Sequence, residues 1–230
     1  MRYAGAGPSR EARLLRRTLV VAAIFAMSGC FPLHRTRPGA EGWRDRTRTI
    51  GILSAVRVEE VSAGGIEEEN EQWTSQASRN VVSALSEGLR ARQLKAKPLS
   101  WKDDPELDEV RLLYAEVAGA IWNFTYPPYP FPTKHDHFDY SVGPVGRILD
   151  RAGVDVLLVA AAAGRTGADG RPLSFLSGNS TALLTLGLVD RGGDVIWFDV
   201  WGGRAVDLRS QDDVVATVAK LLSELPGEPQ

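Results

Sequence analysis

The run Val154-Asp155-Val156-Leu157-Leu158-Val159-Ala160-Ala161-Ala162 decides the fold class, because it is almost continuously apolar over the length of one strand. A strand of this composition is typically buried on both faces of a sheet. Two further apolar runs follow, Thr181 to Asp190 and Asp194 to Trp201, and a turn with two adjacent glycines joins them. Such a turn is typical of a β-hairpin. These three runs predict the centre of a β-sheet.

Two more strands and four helices are predicted around these runs. Thr49 to Val58 is mostly apolar and predicts another central strand, whereas Ala96 to Trp101 contains Pro98, which favours a place near the sheet edge. Apolar residues recur with helical spacing in four segments. These segments are Trp73–Leu94, Pro105–Asn123, Val142–Ala152 and Gln211–Leu225. The order of elements predicts an α/β fold, a single mixed-sheet α/β sandwich with flanking helices.

Particular residues predict where the helices begin and which faces they bury. Asp104 can cap the helix that starts at Pro105, and Ser210 can cap the last helix. The acidic run Glu67 to Glu71 is predicted to be the solvated start of the first helix. The buried face of that helix is predicted to consist of Ala77, Val81, Ala84, Leu85 and Leu89.

The first 29 residues predict an export signal. Five arginines precede an uncharged apolar segment, Thr18 to Phe25, which is too short to cross about 30 Å of hydrocarbon. Two small residues, Ser28 and Gly29, directly precede Cys30, the single cysteine of the chain. A cleaved signal peptide is therefore predicted for residues 1–29.

The sequence Met27-Ser28-Gly29-Cys30 resembles the bacterial lipobox. The resemblance implies that Cys30 carries a diacylglyceryl group and that its new N-terminus is acylated, so that several acyl chains hold the protein at a membrane. Phe31 stands where aspartate would imply retention at the inner membrane. The resemblance therefore favours a lipid anchor in the outer membrane, facing the periplasm. The alternative is an ordinary signal peptide in which Cys30 is a chance thiol.

Residues 30–48 contain prolines, glycines and many charges but no apolar periodicity, so they predict a lipidated flexible tether. Residues 49–230 are then predicted to be one partner-binding domain. The whole chain has a formal net charge of −2, and the chain without its arginine-rich signal is more acidic. An acidic domain without stripes of basic residues argues against a nucleic-acid partner.

The sequence contains no recognisable catalytic constellation. Its three histidines are His34, His135 and His137, and it has neither a Gly-x-Ser-x-Gly elbow nor a phosphate-binding glycine loop. We therefore expect a protein that is not an enzyme and that uses no cofactor.

The segment from Phe124 to Tyr140 has the most unusual composition of the chain, with four prolines among aromatic residues. The prolines predict an extended loop rather than a helix or a central strand. Tyr126, Tyr129 and Phe131 would offer a partner, or a second copy of the chain, contact area at a low entropic cost. The alternative is that these rings cover an edge of their own sheet.

The same loop contains His135-Asp136-His137, the candidate for a metal or cell-wall ligand site. In an extended chain the side chains of His135 and His137 lie on one side. A structural zinc site uses four protein ligands, however, and the sequence offers no nearby cysteine or further histidine. A solvated loop tip without metal is therefore predicted.

Two segments resemble a broad family of envelope lipoproteins. They are Ala152 to Val159, a Gly-x-Asp-apolar strand after a helix, and Leu188 to Trp197, a hairpin of the form apolar-Asp-x-x-Gly-x-apolar-apolar-Trp. The family includes the curli-secretion lipoprotein, the lipoprotein activators of penicillin-binding proteins and the N-terminal domain of the Tol-Pal propeller protein. The resemblance implies an α/β scaffold without a particular chemistry.

These observations predict a non-catalytic, membrane-anchored periplasmic lipoprotein that binds another envelope protein, or its own copies, in an assembly or secretion system. Residues 60–72 and the proline-rich loop lack the long amphipathic hairpins of a membrane pore, so pore formation is not expected. The alternative function is a lipoprotein that binds a metal or a cell-wall ligand through residues 124–140.

Overall fold

The computed structural model describes residues 34–126, 131–167, 180–204 and 206–227. In these residues seven strands form one mixed sheet with helices on both faces, which confirms the predicted α/β fold. The strands are β1 (Arg35–Thr36), β2 (Thr49–Val61), β3 (Glu67–Glu69), β4 (Lys95–Pro98), β5 (Val156–Gly167), β6 (Ser180–Val189) and β7 (Val195–Arg204). The helices are a 3₁₀ helix (Glu41–Arg46), α1 (Glu71–Ala91), α2 (Pro105–Thr125), α3 (Pro132–Asp136), α4 (Gly146–Ala152) and α5 (Gln211–Ser223).

The sheet is built around the parallel pair β2 and β5. The strand order is β1-β7-β6-β5-β2-β3, and β4 pairs in parallel with the first residues of β2, on the same edge as β3. Strands β5, β6 and β7 form an antiparallel meander, as the apolar runs predict. The β6–β7 turn requires glycine at Gly193, because its φ is +86° and a Cβ there would collide with the backbone of Gly143.

Helices α1 and α5 cover one face of the sheet, and α2 and α4 cover the other. All five apolar positions predicted for the inner face of α1 are buried. The predicted caps are also present. The side chain of Asp104 accepts hydrogen bonds from the backbone N–H groups of Glu106 and Leu107, and Ser210 accepts one from Asp213.

The prediction that the acidic run begins the first helix is wrong for residues 67–69. These residues form β3, which pairs antiparallel with the end of β2. Charge pairing makes such an acidic strand possible: Arg57 contacts Glu69 at 3.5 Å, and Arg165 contacts Glu67 at 3.1 Å. Helix α1 begins only after Asn70, whose side chain caps it.

The predicted flexible tether is wrong for residues 34–48, which pack against the sheet. Strand β1 pairs with β7, and Trp43 is buried in the core between the sheet and helices α1 and α5. The indole N–H of Trp43 donates to the backbone oxygen of Pro226 at 3.1 Å, and Arg44 donates to that of Gly227 at 2.6 Å. The folded unit therefore includes residues from His34 onward. Residues 30–33 of the predicted tether, and the predicted signal peptide, lie outside the described residues.

Candidate functional site: an aromatic corner beside the N-terminal strand

The end of helix α2 and strand β1 meet at one corner of the molecule. Tyr126, the residue that caps α2, is buried, with only 3% of its surface exposed. Its ring lies 5.6 Å from that of Trp122 and 6.3 Å from that of Phe198, and the Arg35 guanidinium lies 6.0 Å from its centre. Burial raises the pKa of the Tyr126 hydroxyl, so this side chain stays neutral.

Three large aromatic side chains around Tyr126 remain exposed. The exposed fractions are 37% for Trp122, 41% for Phe124 and 54% for Phe131. The rings of Phe124 and Phe131 are 5.1 Å apart, and the N–H of Phe131 donates to the backbone oxygen of Phe124 at 2.8 Å. We call Trp122, Phe124 and Phe131 the aromatic corner. Phe124 and Phe131 form one exposed pair, whereas Trp122 lies against Tyr126, because two positions on a helix are roughly 200° apart. Exposed aromatic residues of this kind are typical of interaction surfaces.

The residues predicted to bind a partner have different surroundings. Phe131 is exposed, whereas Tyr126 is buried and covers its own core, as the alternative hypothesis states. Tyr129 lies outside the described residues, as does Cys30. Trp122 is not among the predicted residues. It stands one position beyond Ile121 of the buried stripe of α2, and its place outside that stripe is the sequence signal for an exposed aromatic residue.

The extended geometry predicted for the two loop histidines is wrong. Pro132 begins the one-turn helix α3, because proline is tolerated in a first helical turn, and His135 lies within this helix. His137 caps the helix and is exposed. His34, far from both in the sequence, lies 3.2 Å from the Glu224 carboxylate. In the described residues no group of three or more His, Cys, Asp or Glu side chains is placed to hold a metal.

A charged cleft of about 440 Å³ lies between the N-terminal segment and the β6–β7 turn. Its carboxylates already have partners in the fold. Arg37 pairs with Asp194 at 2.9 Å, and Asp155 accepts backbone hydrogen bonds from Thr49 and Arg48, each at 2.8 Å. These bonds hold the pKa of Asp155 below its usual range. The cleft therefore joins the N-terminal segment to the sheet, and its carboxylates serve that structural role.

One buried carboxylate lies beside strand β1. Asp199 of β7 is only 4% exposed, and its Oδ1 accepts a hydrogen bond from the N–H of Val200 at 2.8 Å. Burial raises the pKa of Asp199 to about 6, although the Val200 N–H opposes that shift. The carboxylate of Asp199 therefore serves as the hydrogen-bond acceptor for the Val200 N–H of β7.

In the part of the chain that the structure describes, no helix combines the length and the apolar character that a membrane span requires.

A scan against protein-family models matches none, and a search of curated proteins finds no match. Among solved structures, the chain is similar to a PelC dodecamer from Paraburkholderia phytofirmans, with 14% identity, a TM-score of 0.39, and coverage of 85% of this chain and 96% of that chain. A point variant of that dodecamer gives 15% identity, a TM-score of 0.37, and coverage of 80% and 91%.

Proposed function

We propose that this protein is a non-catalytic lipoprotein of the bacterial envelope, anchored through Cys30 in the outer membrane and facing the periplasm. Its α/β domain binds another envelope protein or further copies of itself. The anchor rests on the resemblance of Met27-Ser28-Gly29-Cys30 to the lipobox, and the observation that supports its role is the short distance in sequence between Cys30 and the first strand of the fold.

Strand β1 begins at Arg35, five residues after Cys30. An extended chain advances at most about 3.6 Å per residue, so the lipid-bearing residue would lie within about 18 Å of β1. A lipid on Cys30 would therefore hold this corner of the domain close to the membrane surface, instead of letting the domain range freely on a tether.

Trp122 of the aromatic corner lies on the side of β1, because the Arg35 guanidinium lies 6.0 Å from the ring centre of Tyr126, and the rings of Tyr126 and Trp122 are 5.6 Å apart. Exposed tryptophan and phenylalanine next to a lipid anchor suit the boundary between headgroups and acyl chains, where aromatic rings are enriched. In this arrangement Trp122 contacts the membrane, and the edge of the sheet at β2, which lies at the other end of the strand order, faces the periplasm and its protein partners.

The anchor is tested by the variant Cys30→Ser in the full-length protein. We expect the variant to leave the membrane fraction, while Ser28→Ala, as a matched control, stays in it. A variant without the thiol that still fractionates with membranes would overturn the lipid anchor.

The orientation is tested with the purified lipoprotein in vesicles that contain brominated phosphatidylcholine, which quenches tryptophan fluorescence at short range. We expect quenching to fall in Trp122→Phe and to persist in Trp101→Phe, because Trp101 lies on the turn after β4. Equal quenching in both variants would contradict the contact between the aromatic corner and the membrane.

A further inference from the structure

The outer edge of β2 is covered by two short strands with a gap between them. Strand β4 pairs with β2 as far as Ile52, and the last hydrogen bond on that side runs from the N–H of Leu99 to the oxygen of Ile52, at 2.9 Å. Towards β3, the edge is bonded again at Val58: its N–H donates to the hydroxyl of Thr74 in α1 at 2.9 Å, and its oxygen accepts from the N–H of Asn70 at 3.0 Å. The stretch of β2 between Ile52 and Val58 therefore has no neighbouring strand on this side among the described residues.

The gap leaves strand backbone groups without a partner. Alternate residues of a strand direct their backbone N–H and C=O groups to the same edge. The backbone groups of Ser54 and Val56 therefore point into the gap, on the same edge as those of Ile52 and Val58. In the described residues no backbone or side-chain group forms a hydrogen bond with the backbone of Ser54 or Val56 on this edge. These residues are only 6% and 9% exposed, and buried backbone groups are rarely left unpaired.

A groove of about 570 Å³ opens at Ser54. Helix α1 forms one wall, where the hydroxyls of Ser78 and Ser54 are hydrogen-bonded with their oxygens 2.9 Å apart. The turn after β4 forms the other wall, and its Trp101 is fixed by the Arg111 guanidinium, which lies 4.1 Å from the ring centre. The chain turns away from β2 after Leu99, so the groove occupies the path that a longer β4 would have taken.

The rim of the groove is mainly basic. Arg79 and Arg90 of α1 and Lys102 of the opposite turn are exposed there, against one acid, Glu87. This excess of positive charge contrasts with the acidic balance of the chain as a whole. An acidic partner is therefore attracted to this rim.

We propose that the groove is the docking site for an extended, acidic peptide segment of a partner protein, which adds to the sheet as a strand beside Ser54 and Val56. Strand addition satisfies the unpaired backbone groups, and the basic rim selects for acidic side chains. This inference deepens the proposed function, because it rests on the domain being a partner-binding module and names the chemistry of the partner.

The test uses the full-length protein in detergent micelles and the synthetic peptide acetyl-Glu-Val-Glu-Val-Glu-amide. We expect saturable binding, together with hydrogen-exchange protection of the Ser54 and Val56 amides of about tenfold or more. A peptide with Lys in place of Glu, and one N-methylated at its central residue, should bind at least about tenfold more weakly, because they lose the charge match and the strand hydrogen bonds.

The double variant Arg79→Glu/Arg90→Glu should weaken binding by about tenfold, whereas Arg147→Glu, a charge reversal on the opposite face of the sheet, should leave it unchanged. Absence of saturable binding would overturn the inference, as would binding that does not protect Ser54 and Val56. Because the measurement is made in detergent, its failure is distinguishable from failure of the membrane anchor, which the fractionation of Cys30→Ser tests separately.

Discussion

The two edges of the sheet are closed in different ways. At β7, strand β1 pairs with Trp197 and Phe198. The next backbone N–H on the same edge of β7 belongs to Val200, and it donates to the carboxylate of Asp199. At β2, the groups of Ser54 and Val56 between the two covering strands have no such internal acceptor or donor in the described part of the chain. An inward-pointing charge is one of the devices that protect edge strands from pairing. The comparison indicates that β7 is protected by its own carboxylate, whereas the backbone groups of Ser54 and Val56 are unpaired within the described residues, where we propose that a partner strand binds.

The largest expected effect follows from removing Trp43, which fixes the segment after β1 to the C-terminal end of the fold at Pro226. Trp43→Ala deletes a buried indole and its hydrogen bond to Pro226. We expect the free energy of unfolding to fall by about 3–5 kcal/mol, measured by urea denaturation. We also expect the amide of Phe198 to exchange faster with solvent. Slow exchange at Phe198 in the variant would show that β1 holds its place on β7 without Trp43.

An intermediate effect is expected from Asp199→Asn, which keeps an oxygen acceptor for the Val200 N–H but removes the ionisable group. Because the folded pKa of Asp199 is about 6, above the ordinary value of 3.8, the folded state of the natural protein binds more protons and loses stability as the pH rises through this interval. At pH 8 the variant should therefore be more stable than the natural protein by about 3 kcal/mol, because each pKa unit of the shift corresponds to about 1.4 kcal/mol.

The gain should shrink at pH 4, where the natural carboxyl is largely protonated in the folded state. Thermal unfolding at the two pH values measures this difference, and Asp212→Asn, on the exposed surface of α5, is the matched control. A gain that is equal at both pH values would contradict a buried, ionising Asp199.

The smallest effect is expected at the gap itself. Ser78→Ala removes the hydroxyl that bonds with Ser54 across the groove, and we expect the free energy of unfolding to fall by about 0.5–1.5 kcal/mol. Binding of the acidic peptide should persist, because the peptide uses the backbone of β2 and the basic rim. Loss of binding together with unchanged stability would shift the docking surface from the strand edge to the serine side chains.

The parts of the fold that were predictable are those with a regular pattern. The inner face of α1 follows from a spacing of three and four residues between apolar positions, and the β5–β6–β7 meander follows from apolar runs and a glycine turn. Strands β1 and β3 are two and three residues long, so they contain too few positions for a period. Their place depends on edges offered by distant strands, which local patterns do not record.

The candidate sites were predictable only in part, for a related reason. Phe131 is an aromatic residue in a proline-rich segment, and it is exposed as the composition suggests. Tyr126 has the same local composition, but its ring is buried against Phe198, more than 70 residues further along the chain. The gap at Ser54 arises from the point at which β4 turns away from β2, a property of the sheet as a whole.

The contact between Trp43 and Pro226 also bears on the order in which the chain folds. The two residues are 183 positions apart, so their contact requires almost the entire chain to be available. Contacts between residues so far apart in sequence carry a high loop-closure entropy and tend to form late. We therefore expect the N-terminal segment to join the sheet after α5 has packed, so that the contact between Trp43 and Pro226 is among the last to form.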